Sequence, residues 1–162
     1  MKREKVKYQE GDWFAVPLRD GAGFGVGVIA RMAPDRDVLL GYFFGPRLPV
    51  IPDMNEVEGL RASQAVMVRR FGALSLARGE WPILGSSRNW ERQNWPMPQF
   101  ARHVEIDNRA WRVDYPDDDP NAIPRESPIT VEGYKLLPRD GMLGAGAVEV
   151  LLTKALAQPA AH

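Results

Sequence analysis

The chain has 162 residues, 44% of them hydrophobic and 26% charged, an ordinary globular composition that excludes a disordered or fibrous polymer. Arginine plus lysine and aspartate plus glutamate both total 21, so the formal charge is zero and a global attraction for nucleic acid is excluded. Cysteine is absent, which removes disulfides, thiolate metal sites and cysteine nucleophiles.

The opening MKREKVKYQEGDW is basic with no apolar run behind it, so residues 1–9 read as a solvated, flexible tail rather than a secretory signal. No stretch approaches the roughly 20 apolar residues of a membrane span. The expected compartment is the cytoplasm, and the length suits a single domain over 1–162.

DWFAVPL (12–18) alternates aromatic and β-branched residues and reads as a strand. Asp20 and Gly21 mark a tight turn, after which FGVGVIARM (24–32) resumes the pattern. Gly23, Gly25 and Gly27 alternate along it, so they fall on one face where a neighbouring element approaches closely or the strand itself curls. They do not make a dinucleotide fingerprint, because the sixth position from Gly21 is Val26, that from Gly23 is Val28, and the chain stays in a strand pattern. After a second turn at 33–37, VLLGYFFG (38–45) is apolar enough for a central strand. Three antiparallel strands with short connections predict a strongly bent antiparallel sheet or small barrel.

Residues 46–64 form a connection with room for one helical turn near 57–60, and AVMVRRF (65–71) is a fourth strand. WPIL (81–84) is a short strand placed near a sheet edge by Pro82. FARHVEI (100–106) and RAWRVDY (109–115) predict a hairpin turned by Asp107 and Asn108, and one more strand is expected within ITVEGYKLLP (129–138). In residues 140–158 a helix is expected from about Ala145, with Val148, Leu151, Leu152, Ala155 and Leu156 forming an apolar stripe to cover one side of the sheet. The fold class expected is mainly β (α+β), a bent sheet or barrel closed by this C-terminal helix.

Reactive groups are few. No serine lies in G-x-S-x-G, and of the two histidines His162 ends the chain, leaving His103 as the candidate base. Strand alternation puts His103, Glu105 and Asp107 on one face, a weak candidate for a divalent metal or an oriented base. Same-face Cβ atoms stand about 7 Å apart in an unbent strand, which favours a solvated polar face over a metal site. Asp117, Asp118 and Asp119 repel one another and cannot all be buried, so they predict an exposed anionic segment held extended by Pro116 and Pro120. Calcium is disfavoured there because the central glycine of a twelve-residue loop is missing.

WPILGSSRNWERQNWPMPQF (81–100) carries three of the five tryptophans without helix or strand period. Trp81 and Phe100 flank strands and are expected in the core. Trp90 and Trp95 sit among Arg88, Glu91 and Arg92, and the mixture fits either loop pinning or a protein contact.

GDWFAVPLRDGAGFGVGVIAR, YFFGP, VRRFGALSLARGEWPILG, WPMPQFARH and WRVDYPDDD, in that order, resemble the Immunity protein 26 domain family of bacterial polymorphic toxin systems over about residues 8 to 120. The resemblance implies an all-β cytoplasmic protein that binds and neutralises a cognate toxin, with no catalytic residue, cofactor or metal. It implies that the glycine-rich hairpin, Trp81, Pro82, Pro98 and Phe100 serve the fold, with the 115–119 segment as one acidic surface element. Partner contact is then expected from Trp90, Arg92 and Trp95 as the desolvated centre, with Asp117, Asp118 and Asp119 facing a basic surface. A phosphotriesterase-like, metal-dependent hydrolase is the alternative from the same family, but it needs several ligands around activating metals. A nucleic-acid-binding adaptor is a further alternative, disfavoured by the neutral charge.

Overall fold

The structure, a computed structural model, describes residues 6–157. Residues 1–5 of the expected tail, and His162, lie outside the described residues; Val6 N donates to Ala77 O (3.0 Å) and the Tyr8 hydroxyl to Arg36 O (2.8 Å). In chain order the elements are β1 (Asp12–Pro17), β2 (Phe24–Met32), β3 (Val38–Leu48), α1 (Met54–Val57), β4 (Met67–Gly72), α2 (Leu74–Ala77) and β5 (Ile83–Ser86). They continue with β6 (Phe100–Val104), β7 (Arg109–Asp114), β8 (Arg125–Ile129), α3 (Val131–Leu136), β9 (Met142–Leu143) and α4 (Ala145–Ala157).

Because side chains alternate across a strand, each long strand feeds two cores. Phe14, Ile29, Leu39, Phe43 and Phe71 point to one face of the large sheet, where Leu76, Trp81, Val148 and Leu152 cover them. Trp13, Val28, Leu40, Tyr42 and Phe44 point to the other, beneath Val57, Trp95, Phe100 and Val113. The sheet has six strands in the order β5-β1-β2-β3-β4-β9, antiparallel except for the β4–β9 pair. A separate three-stranded antiparallel sheet, β6-β7-β8, supplies part of the second cover.

The expected barrel is therefore wrong, and so is the all-β class. The fold is mixed α/β: two small sheets with several helices, neither sheet closed nor strongly curled. The alternating glycines explain part of the difference. They do not bend β2 into a cylinder; they make room for what lies on it. A Cβ on Gly25 would stand 2.7 Å from Leu152 Cδ2 of α4, and one on Gly27 would stand 2.6 Å from Phe14 Cζ. Flatness lets α4 lie against the sheet, and with the two ends of the strand order occupied by β5 and β9 there is no closing pair.

Local signals account for the other corrections. The strand expected in 129–138 lies upstream as β8, because Thr130 begins a helix: its Oγ1 accepts from Gly133 N at 2.9 Å and caps α3. The helical turn of the 46–64 connection sits at α1, where the Asp53 carboxylate accepts from Glu56 N. Strand β6 ends at Val104, and Glu105–Asp107 turns in a 3-10 helix closed by Asn108 in the left-handed region (φ 53°).

Candidate partner-binding surface

The irregular segment after β5 is fastened from both sides. Trp95 is only 8% exposed and meets Trp13 (5.8 Å) and Tyr42 (5.3 Å) edge to face, so it belongs to the second core. Half-buried Trp90 stacks on its outer side, with ring centroids 5.6 Å apart and planes 14° off parallel. Glu10 holds the outer layer: it accepts from Trp90 Nε1 (2.9 Å) and from Arg92 Nε and Nη2. The hydrogen bonds to Glu10 strengthen the proton's hold on Arg92 and raise its pKa. The Tyr42 hydroxyl donates to Pro96 O, and burial pushes its pKa up to about 12.

The acidic segment does not project freely. Arg31 and Arg70 stand in one row across β2, β3 and β4, with Leu40 between them. Arg31, 1% exposed, donates from Nε to Asp117 O (2.7 Å) and from Nη2 to the Asp117 carboxylate (2.9 Å). Arg70 donates to Pro120 O (3.0 Å) and lies 4.1 Å over the Tyr115 ring, while the Tyr115 hydroxyl donates to Asp140 (2.8 Å). Two arginines that emerge from the sheet thus grip the two ends of the acidic stretch. Asp119 accepts from Asn121 N and orders the turn, and Asp118 is exposed, without an ion pair among the described residues.

Arg92 joins the two regions, because its Nη1 lies 3.8 Å from Asp117 Oδ2 while its other nitrogens hold Glu10. Trp90, Arg92 and Asp117 are therefore neighbours on one surface, with Trp95 under Trp90 and Asp118 and Asp119 following on the docked segment. Beside Trp90 opens a groove of about 710 Å³ lined by Trp13, Trp95, Ser87, Arg61 and Arg88. Sequence reading placed Arg88 beside the tryptophans but did not find Glu10, Arg31, Arg61 or Arg70. The available signal was Arg31 within β2 and the adjacent Arg69 and Arg70 within β4, both strands otherwise apolar, since a buried guanidinium requires carbonyl or carboxylate partners.

His103, Glu105 and Asp107 do not assemble. The 3-10 turn takes Glu105 and Asp107 off the strand, His103 Nε2 meets Asn108 Oδ1 at 2.8 Å, and the imidazole lies 5.1 Å from the Tyr134 ring. Among the described residues no group of three or more His, Cys, Asp or Glu side chains could hold a metal ion. No helix among them is long and apolar enough to cross a membrane.

The family profile described as Immunity protein 26 matches residues 9–112, which include the two cores' first five strands, Arg31, Arg70 and the whole tryptophan segment. No curated protein and no solved structure matches the chain. Family membership carries an immunity role rather than a metal hydrolase or a nucleic-acid adaptor, and it is not catalytic. With well over half its length matched, the chain belongs to the Immunity protein 26 family, and its partner is a cognate toxin.

Proposed function

We propose that the toxin is neutralised by steric contact through the surface made by Trp90, Arg92, Asp117, Asp118 and Asp119, with Trp95 as the buried support beneath Trp90. The observation that carries this reading is Arg92 held between Glu10 and Asp117, which fastens the tryptophan segment to the acidic segment and makes one surface of two distant stretches. Trp90 supplies a rigid, partly open ring at its centre, backed by Trp95, the type of anchor that carries binding energy in protein interfaces. Asp118 supplies an exposed charge at the rim, suited to steering more than to affinity. Pre-organisation by Glu10 and Arg31 limits the ordering cost on binding. The encounter is placed in the cytoplasm of the protected cell, and the chain acts as one domain.

The test is calorimetric titration of the intact protein with its toxin domain for affinity, and stopped-flow mixing of the two for association rate. Trp90→Ala is expected to weaken binding by at least about tenfold and Asp118→Lys to slow association, with circular dichroism unchanged. Unchanged affinity and association rate in both variants would remove this surface from the interface.

A further inference from the structure

The groove beside Trp90 differs in chemistry from the acidic segment next to it. Its lining mixes apolar and polar surface: Trp90 contributes a half-buried indole beside the almost fully buried Trp13 and Trp95, and Leu60 stands with Asn89 and Asn94. The Trp13 Nε1 donates to Ser87 Oγ (2.8 Å) and the Trp90 Nε1 to Glu10, so neither indole needs a partner inside the groove. An occupant meets the Trp90 ring and the Leu60 side chain alongside polar groups. At about 710 Å³ the space takes a large side chain and part of its backbone.

The charges at the mouth favour an anion. Arg61 and Arg88 are both exposed and line the groove, and neither guanidinium makes an ion pair among the described residues. Glu58 also lines it, but its carboxylate accepts from Arg88 N at 3.2 Å and ties the two walls together. Glu10 and Arg92 neutralise each other at the far side of Trp90. The groove's own balance is two cations against one anion, whereas the adjacent rim carries exposed Asp118.

We infer that the groove receives an aromatic or large aliphatic side chain of the toxin that is followed by a carboxylate, with the side chain on the indoles and the carboxylate between Arg61 and Arg88. This rests on the interface reading above and gives it a polarity: the toxin presents an acidic, apolar-anchored element to the groove, and a basic group only to the rim at Asp118. Guanidinium forks suit a carboxylate at such a mouth because they present paired donors.

Two measurements test it on the intact protein. Tryptophan fluorescence is titrated with the capped dipeptide phenylalanyl-aspartate and with phenylalanyl-lysine. The aspartyl peptide is expected to bind about tenfold more tightly and to compete with the toxin domain, and equal binding or none overturns the inference. In parallel, the Arg61→Gln, Arg88→Gln double variant, two exposed replacements that retain bulk, is expected to weaken the toxin complex by about 30-fold. If that variant binds normally while Asp118→Lys or Trp90→Ala does not, the groove inference falls and the interface reading stands. If all three bind normally, both fall.

Discussion

The two faces of the six-stranded sheet are sealed by different means. On the helix face, α4 and α2 press Leu152, Val148 and Leu76 onto Phe14, Phe43 and Phe71, and Trp81 stacks on Phe14 at 5.7 Å. At its margin Trp81 Nε1 donates to Glu149, which also pairs with Arg19. On the opposite face the cover is a small sheet and irregular chain, and irregular chain has backbone groups and ring nitrogens that need partners. There the hydrogen bonds from Arg31, Arg70, Tyr42 and Trp90 hold down what regular helices hold by shape alone. The lesson is a division of labour. The helix face supplies stability with little to offer a partner, while the loop face spends its polar residues on placing an exposed ring and charges in fixed positions.

The comparison is broken or sharpened by substitutions on either side. The largest effect is expected from Trp81→Ala, which removes a fully buried ring from the helix face and should cost about 3–5 kcal/mol in denaturant unfolding. Toxin affinity, measured where the variant is folded, should stay unchanged; a parallel loss of affinity would erase the division. Next comes Arg31→Met, which keeps bulk but removes the grip on Asp117. About 1–3 kcal/mol should be lost, with faster amide exchange confined to residues 117–119. Exchange unchanged in that segment would mean the arginine row does not hold it.

A smaller effect is expected at alkaline pH from Tyr42 on the loop face. Tyr42 has its pKa raised by burial from 10.0 to about 12, so its neutral form is favoured in the folded state. Its contribution is fully present below pH 10 and is lost as the pH rises through about 12, following the linkage sign for a raised pKa. Tyr42→Phe should remove that part of the alkaline decline, read by unfolding at several pH values. The smallest effect belongs to Arg92→Ala. Its pairs are partly exposed, so stability should fall by only about 0.2–1 kcal/mol. Toxin affinity should fall more than stability, because the two segments are no longer fastened together.

Much of the large sheet was legible because alternation leaves a direct trace: 12–18, 24–32 and 38–45 contain β1, β2 and most of β3. The edge position inferred for WPIL from Pro82 agrees with β5 at one end of the strand order. The barrel misreading came from three antiparallel strands on short connections, with glycine counted as a source of curvature; the close approach also expected of those glycines is what Gly25 provides, since it accommodates Leu152, a residue 127 positions away by numbering. The His103 face failed for a local reason, since a 3-10 turn at Glu105–Asp107 breaks the two-residue period on which it depended. The acidic segment was correctly read as exposed in large part, but its anchoring to Arg31 and Arg70 was invisible, because nothing near either arginine in sequence points to residues 117 and 120.

The sequence by itself determined the strand pattern, the apolar spacing within 145–157, the lack of thiol chemistry and the resemblance to its family, because each is written in residue type and short-range period. Only the tertiary structure decided which face the helix covers, that the sheet stays open, and that Trp90, Arg92 and Asp117 become neighbours. Those outcomes depend on contacts between residues far apart in the chain, where side-chain volume and the need to satisfy buried guanidinium groups select one arrangement that no local pattern encodes.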